Sequence, residues 1–341
     1  MALRARRRLG CIFLLAGLFL LVLPGCDRGS SPPGTDKGGS GGGPAASSRL
    51  ELGFVVNNPS DFWLLARAGI RKAEREFNVA VDYQVPGQGT PAQQRQIIES
   101  LIAKGVKGMA VSVLDPRGAI GILNDAAKVM PVVTQDSDCP ESNRVAYIGT
   151  DNVEAGRVAG AQIKKALPDG GKIALFVGKL DVANARERKQ GIEEAIGGTK
   201  IEIVEAFTDE GNRATAQTNV RNALDKYPDL KCLVGLWSYN APAIIKVVKE
   251  KGLVGKIKIV AFDEETPTLD GIDEGIVEST VIQQPYEFGY QSIRALAKLA
   301  RKEDAGLPAN GLAYVPVRVI DRGNVKEFRT KVDEWMREGR G

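Results

Sequence analysis

Polar and aromatic side chains recur at one kind of place in this 341-residue chain, directly after short apolar runs. The run 52–56 is followed by Asn57-Asn58-Pro59-Ser60-Asp61-Phe62-Trp63, and the run 131–134 by Gln135-Asp136-Ser137-Asp138. The run 172–177 leads through a loop to Asn184-Ala185-Arg186-Glu187-Arg188, and the run 232–236 to Trp237-Ser238-Tyr239-Asn240. The runs 257–261 and 277–282 end in Phe262-Asp263 and Gln283-Gln284-Pro285. These groups suit a polyhydroxylated ring. A sugar hydroxyl both donates and accepts; carboxylates accept, arginine donates in a planar fork and amides do both. The C–H faces of a sugar fit against aromatic rings. Phe62, Trp63, Trp237 and Tyr239 offer such faces, and Asn57, Asp136, Arg186, Asn240, Asp263 and Gln283 the polar groups. Singly, Asn or Asp after a strand makes a turn or caps a helix. The recurrence at most strand ends is what points to a site.

The rest of the composition narrows the chemistry. The chain holds no histidine, which excludes Ser-His-Asp and Cys-His nucleophile systems and the common His-containing zinc sites. Carboxylate-pair catalysis stays open on composition alone. No phosphate loop of the G-x-G-x-x-G or G-x-x-x-x-G-K-[ST] kind follows a strand, against a Rossmann enzyme. No cofactor or metal is implied. Basic residues outnumber acidic ones by 46 to 42, but Arg4, Arg6, Arg7 and Arg8 precede Cys26 and no acid does. The rest of the chain is formally neutral, so no nucleic-acid partner is expected.

The elements that must position the strand-end residues alternate in type. Apolar runs of strand length are separated by segments with helical spacing, such as 62–77 and 91–104, the latter with Pro91 at its start. Repeated βα units imply parallel sheets covered by helices on both faces. The 293 residues after position 48 exceed one open sheet and suit two α/β lobes. In such sheets ligands bind beyond the carboxyl ends of the strands.

The first 48 residues are of another kind. Four arginines precede an uncharged apolar run over 9–23 that ends in Leu23-Pro24-Gly25-Cys26. This order reads as a secretory signal, too short to span a bilayer. The cysteine after Gly25 resembles a bacterial lipobox, with Pro24 as a departure. It makes Cys26 the expected lipidation site and the new N-terminus, with residues 1–25 the signal peptide. Residues 27–48 are rich in Gly, Ser and Pro and read as a flexible tether spanning on the order of 25 Å. Asp27 after the cysteine favours the inner membrane in some Gram-negative bacteria. Cys139 and Cys232 are too few for a disulfide framework and are expected to be unpaired.

Several motifs together resemble periplasmic sugar-binding proteins of the ribose-binding type, which serve ABC importers and share their core with LacI-type repressors. They are the Asn-Asn-Pro segment, Thr150-Asp151-Asn152, Ala185-Arg186-Glu187-Arg188 with Gly191, Ala261-Phe262-Asp263 and Thr280-Val281-Ile282-Gln283. The similarity runs from about residue 50 to 319. It implies the type I periplasmic binding protein fold, α/β with two Rossmann-like lobes and a hinge of three crossings near Thr150-Asp151, Gln283-Gln284 and Val315–Val317. One lobe takes 49–150 with 284–316, the other 151–283 with 317–341. The resemblance matches Asn57 or Asn58, Phe62 and Trp63 to the first ligand loop. It matches Asp136, Arg186, Asp263 and Gln283 to polar contacts, and Tyr239 or Asn240 to a further one. Ser137 stands where ribose-binding members usually carry arginine, and the first loop is two residues longer, so the pocket wall differs. The expected protein is an extracytoplasmic, lipid-anchored, monomeric binder rather than an enzyme. It takes a monosaccharide or polyol and meets an ABC permease. The alternative is a sugar or autoinducer sensor that presents ligand to a receptor kinase or chemoreceptor.

Overall fold

The computed structural model describes residues 49–341. The expected signal peptide, the expected lipidation site Cys26 and the expected tether lie outside the described residues. The first lobe runs β1 (Leu50–Val55), α1 (Phe62–Phe77), β2 (Val79–Gln84), α2 (Pro91–Lys104), β3 (Met109–Val111), α3 (Pro116–Ala127), β4 (Val132–Gln135) and β5 (Ala146–Gly149). The second repeats the pattern: α4 (Asn152–Ala166), β6 (Gly171–Val177), α5 (Ala183–Ile196), β7 (Ile201–Thr208), α6 (Arg213–Lys226), β8 (Leu230–Gly235), α7 (Asn240–Glu250), β9 (Lys258–Phe262), α8 (Thr266–Asp273) and β10 (Ser279–Ile282). The chain then returns to the first lobe through α9 (Pro285–Ala300) and β11 (Leu312–Tyr314). It ends with β12 (Arg318–Asp321) and α10 (Val325–Arg340).

Each lobe holds one six-stranded sheet, ordered β11-β5-β4-β3-β1-β2 and β12-β10-β9-β8-β6-β7. Every pairing is parallel except that of β10 with β12, which is antiparallel. Alternate residues of one strand serve two different cores. Leu52 and Phe54 pack on one side of the first sheet and Val55 on the other; Ala174 and Phe176 are separated from Ile173, Leu175 and Val177 in the same way. Both faces are buried, which is why the strands read as unbroken apolar runs. The strand order reverses direction at β1/β3 and at β6/β8, and a crevice opens at the carboxyl ends there.

Two helix pairs set the strand-end loops in place. α1 lies on α9 through Gly69 and Gly289, where a side-chain carbon would overlap the carbonyl oxygens of Tyr286 and Ala66. α4 lies on α5 through Gly156 and Gly191, whose added carbons would strike the carbonyl oxygens of Arg188 and Val153. Only glycine allows backbones this close.

The tail departs from its expected place. Residues 317–341 were to sit wholly in the second lobe, and the start of α10 does: Val325 and Phe328 are buried in its core, and Arg329 Nη1 donates to Asp270 Oδ1 at 2.6 Å. Its far end lies on the first lobe. Arg75 donates to Glu338 at 2.6 Å, Gly339 fits against the Leu64 carbonyl, and Trp335 stacks on Tyr286 of α9 with centroids 4.8 Å apart. An amphipathic helix with apolar residues on one side docks wherever that side finds cover.

Candidate functional site

A cavity of about 760 Å³ opens between the lobes at the carboxyl ends of both sheets. The first-lobe wall comes from the loop after β1 and the start of α1. Trp63 is buried and Phe62 half-buried, their rings edge to face with centroids 5.0 Å apart. Trp63 Nε1 donates to Asn57 Oδ1 at 3.2 Å, and Asn57 Nδ2 donates to Asp136 Oδ2 at 3.3 Å. Ser112 Oγ donates to the same carboxylate oxygen at 2.9 Å. The indole, the amide and the carboxylate are thus held as one unit. Asn58 lines the mouth and is exposed.

The second-lobe wall is built from β6, β8 and β9. Trp237 and Tyr239 line the cavity, ring centroids 6.4 Å apart. Trp237 Nε1 donates to Asn184 Oδ1 at 3.0 Å, and the Tyr239 hydroxyl donates to Asp209. Below them sits Arg188, with 2% of its side chain exposed. Its Nε donates to Asn152 Oδ1 at 3.0 Å and its Nη1 to the Leu236 carbonyl at 2.7 Å. The guanidinium carbon lies 4.5 Å from the centroid of Phe262 and Nη1 3.9 Å from Asp263 Oδ2. Asp263 Oδ1 accepts from Gln283 Nε2 at 3.1 Å, and Gln283 Oε1 accepts from Thr150 Oγ1 at 3.0 Å. Thr150 and Gln283 belong to the first and second crossings, so the cleft's polar network runs through the hinge itself.

Asp136 and Asp263 occupy matching places, each directly after the fourth strand of its lobe's βα series. Each adopts a left-handed backbone, with φ of 59° and 65°. Non-glycine residues rarely take that conformation, and where they do the surroundings hold them there. Tyr147 donates to the carbonyl of Asp136 at 2.9 Å and Thr280 to that of Asp263 at 2.7 Å. Burial raises the pKa of Asp136 to about 6, against the opposing hydrogen bond from Ser112. Burial also raises that of Asp263, opposed by Arg188.

Three expected contacts fall elsewhere. Arg186 is exposed, outside the cleft, and donates to the Asp181 carbonyl. Arg188 takes the place in the cleft that was expected for it. The buried positions of α5 are Ala185, Arg188, Gly191, Ile192 and Ile196, a helical spacing that turns 188 inward and 186 outward. Asn240 is fully buried behind the wall: its Oδ1 accepts from the Trp237 amide at 3.0 Å and its Nδ2 donates to Asp209 at 3.0 Å. It braces Trp237 and Tyr239 and has no face on the cavity. Ser137 does not line the cavity either, because the left-handed turn at Asp136 carries the chain away. Asn57, Asn58, Phe62, Trp63, Asp136, Trp237, Tyr239, Asp263 and Gln283 do line it. Asn184, from a strand-end segment but not singled out there, joins them, as do Arg213, Glu264 and, from α10, Val332 and Met336, unforeseen from the sequence.

A family model described as a periplasmic binding protein domain matches residues 52–304. The chain belongs to the periplasmic binding protein family. That membership places its work outside the cytoplasm. Among curated relatives of this family, the ribose import binding protein of Bacillus subtilis is 26% identical over 283 residues, 82% of this chain and 89% of the relative. Two solved family structures each have a TM-score of 0.75. An ABC transporter solute binding protein from Burkholderia graminis, in complex with D-arabinose, is 27% identical and covers 82% of this chain and 98% of its own. A glucose-galactose binding protein from Geobacillus stearothermophilus is 28% identical and covers 82% and 99%. The periplasmic binding fold thus accounts for both lobes and for the cleft between them.

Proposed function

We propose that this protein captures a monosaccharide or polyol in the cleft and delivers it to an ABC importer. It acts as a monomer on a lipid anchor at Cys26, without breaking a bond. The observation that carries the reading is the matched pair Asp136 and Asp263, one from each lobe, set with Arg188 between aromatic walls. Two preformed half-sites of this kind bind a hydroxylated ring from both sides when the lobes close and expel water. The names of the relatives, which bind ribose, arabinose, glucose or galactose, support the same class of ligand. The tether over 27–48 gives the lobes reach above a membrane.

A thermal-shift screen against pentoses, hexoses, their amino derivatives and polyols tests the proposal. A ligand that binds only the folded state at 100 times its Kd adds about 2.7 kcal/mol of stability. At least one member of the panel is expected to raise the transition in a concentration-dependent way. A panel without any such ligand would refute sugar capture.

A further inference from the structure

The charges around the cleft do not balance. Asp136, Asp263 and Glu264 line its inner part. Of the two arginines there, Arg213 is engaged by both oxygens of Glu265, at 3.1 and 2.8 Å. That leaves Arg188 alone against three acids. Asp263 has Arg188 and Gln283, and Asp136 has the neutral donors Ser112 and Asn57. Glu264, half-buried, has no cation and no side-chain donor among the described residues; only its own backbone N–H supports the carboxylate. Its Oε2 is buried with no hydrogen-bond partner, and the residue forms no ion pair among the described residues. The side chain borders both the cleft and a 200 Å³ cavity behind it. Two cations border that rear cavity: Lys331, which donates to Glu327 at 2.7 Å, and Arg318.

Burying a carboxylate without a cation is costly, and cleft closure removes the water that would hydrogen-bond it. A neutral hydroxyl offers one weak donor. An ammonium group offers three donors and the missing charge. We propose that the ligand is an amino sugar or amino polyol, its protonated amine received by Glu264 and its ring held between the aromatic walls. This rests on the sugar-capture reading and narrows it. In the empty cleft, burial and the neighbouring charge of Asp263 push the pKa of Glu264 well up and favour its neutral form; a bound ammonium reverses that shift, so binding releases a proton.

Calorimetry on the full chain separates the possibilities. Glucosamine and galactosamine are titrated beside glucose, galactose and the two N-acetyl derivatives. An amino sugar is expected to bind at least about tenfold more tightly than its parent, the margin between charge-assisted and neutral hydrogen bonds. N-acetylation, which removes the charge, is expected to abolish the gain without any change in the protein. Glu264→Gln is expected to pull the amino-to-parent ratio towards one, with a thermal melt to verify that the variant folds. Parents that bind as well as their amino derivatives would overturn this inference and leave sugar capture standing. A preference that survives Glu264→Gln would overturn the assignment of the amine to Glu264. Failure of all six would overturn this inference; failure of the whole thermal-shift panel would remove sugar capture with it.

Discussion

Replacing Arg188 by methionine removes a cation while keeping an unbranched stem of similar reach. Four interactions go with it: two hydrogen bonds, to Asn152 Oδ1 and the Leu236 carbonyl, the approach to Asp263, and the stack on Phe262. The largest consequence is electrostatic. Asp263 keeps its buried position and loses the cation beside it, and breaking a buried pair in this way costs about 3–5 kcal/mol. Relaxation and protonation of Asp263 recover part of that, so a loss of about 3 kcal/mol in urea unfolding is expected. Ligand affinity is expected to fall by a further charge-assisted hydrogen bond, about 1.5–3 kcal/mol, or roughly ten- to a hundredfold in Kd by calorimetry. Arg186→Met is the control. That side chain is exposed and bonded to a loop carbonyl, so its removal is expected to stay within about 0.5 kcal/mol in both assays. Equal effects from the two substitutions, or a larger one at 186, would refute the assignment of Arg188 to the cleft.

Asp136 binds its proton more tightly folded than unfolded, so from about pH 4 to about pH 6 the native state holds more protons and stability falls as pH rises. Asp136→Asn, which tolerates the left-handed backbone, is expected to flatten that slope in urea melts taken across the range. Gly191→Ala is expected to cost about 1–3 kcal/mol by overpacking α4 on α5, and to weaken sugar binding by displacing Arg188 on the same helix. Cys139 and Cys232 are free and buried, and burial pushes the Cys232 thiol up to about 12. Neither is expected to react with a thiol reagent before denaturant is added, and both rapidly afterwards. Prompt labelling in the native state would contradict the packing described.

The lobes were legible because doubly buried strands advertise themselves. Runs such as 52–56 and 232–236 leave only the strand end free to be polar, and residues such as Asn57, Trp237 and Asp263 stand out there. Less legible was which of two neighbouring polar residues turns inward. Arg186 and Arg188 differ by half a helical turn and a bit, and the inward stripe of Ala185, Arg188, Gly191 and Ile192 separates them once the helix is phased. Asn240 looked like a ligand contact because an amide after a strand can serve either purpose, and its partners Trp237 and Asp209 are distant or backbone-borne. Glu264 and the cleft-facing side of α10 gave no local signal. Their positions depend on contacts between segments far apart in the chain.

That last helix has a mechanical consequence. From Phe328 to Gly339 it spans about 17 Å as a stiff rod, fixed in one lobe at its start and resting on the other at its end. Lobes joined by three crossings alone swing apart freely; with the rod in place, separation must first detach Trp335 from Tyr286 and Glu338 from Arg75. The contacts therefore enter the balance between empty-open and empty-closed molecules. A larger share of empty-closed protein spares the ligand part of the work of closure and raises apparent affinity by the same factor. It also presents the transporter with closed molecules that carry nothing. The grip of one terminal helix thus sets a compromise between scavenging at low ligand concentration and futile encounters at the membrane.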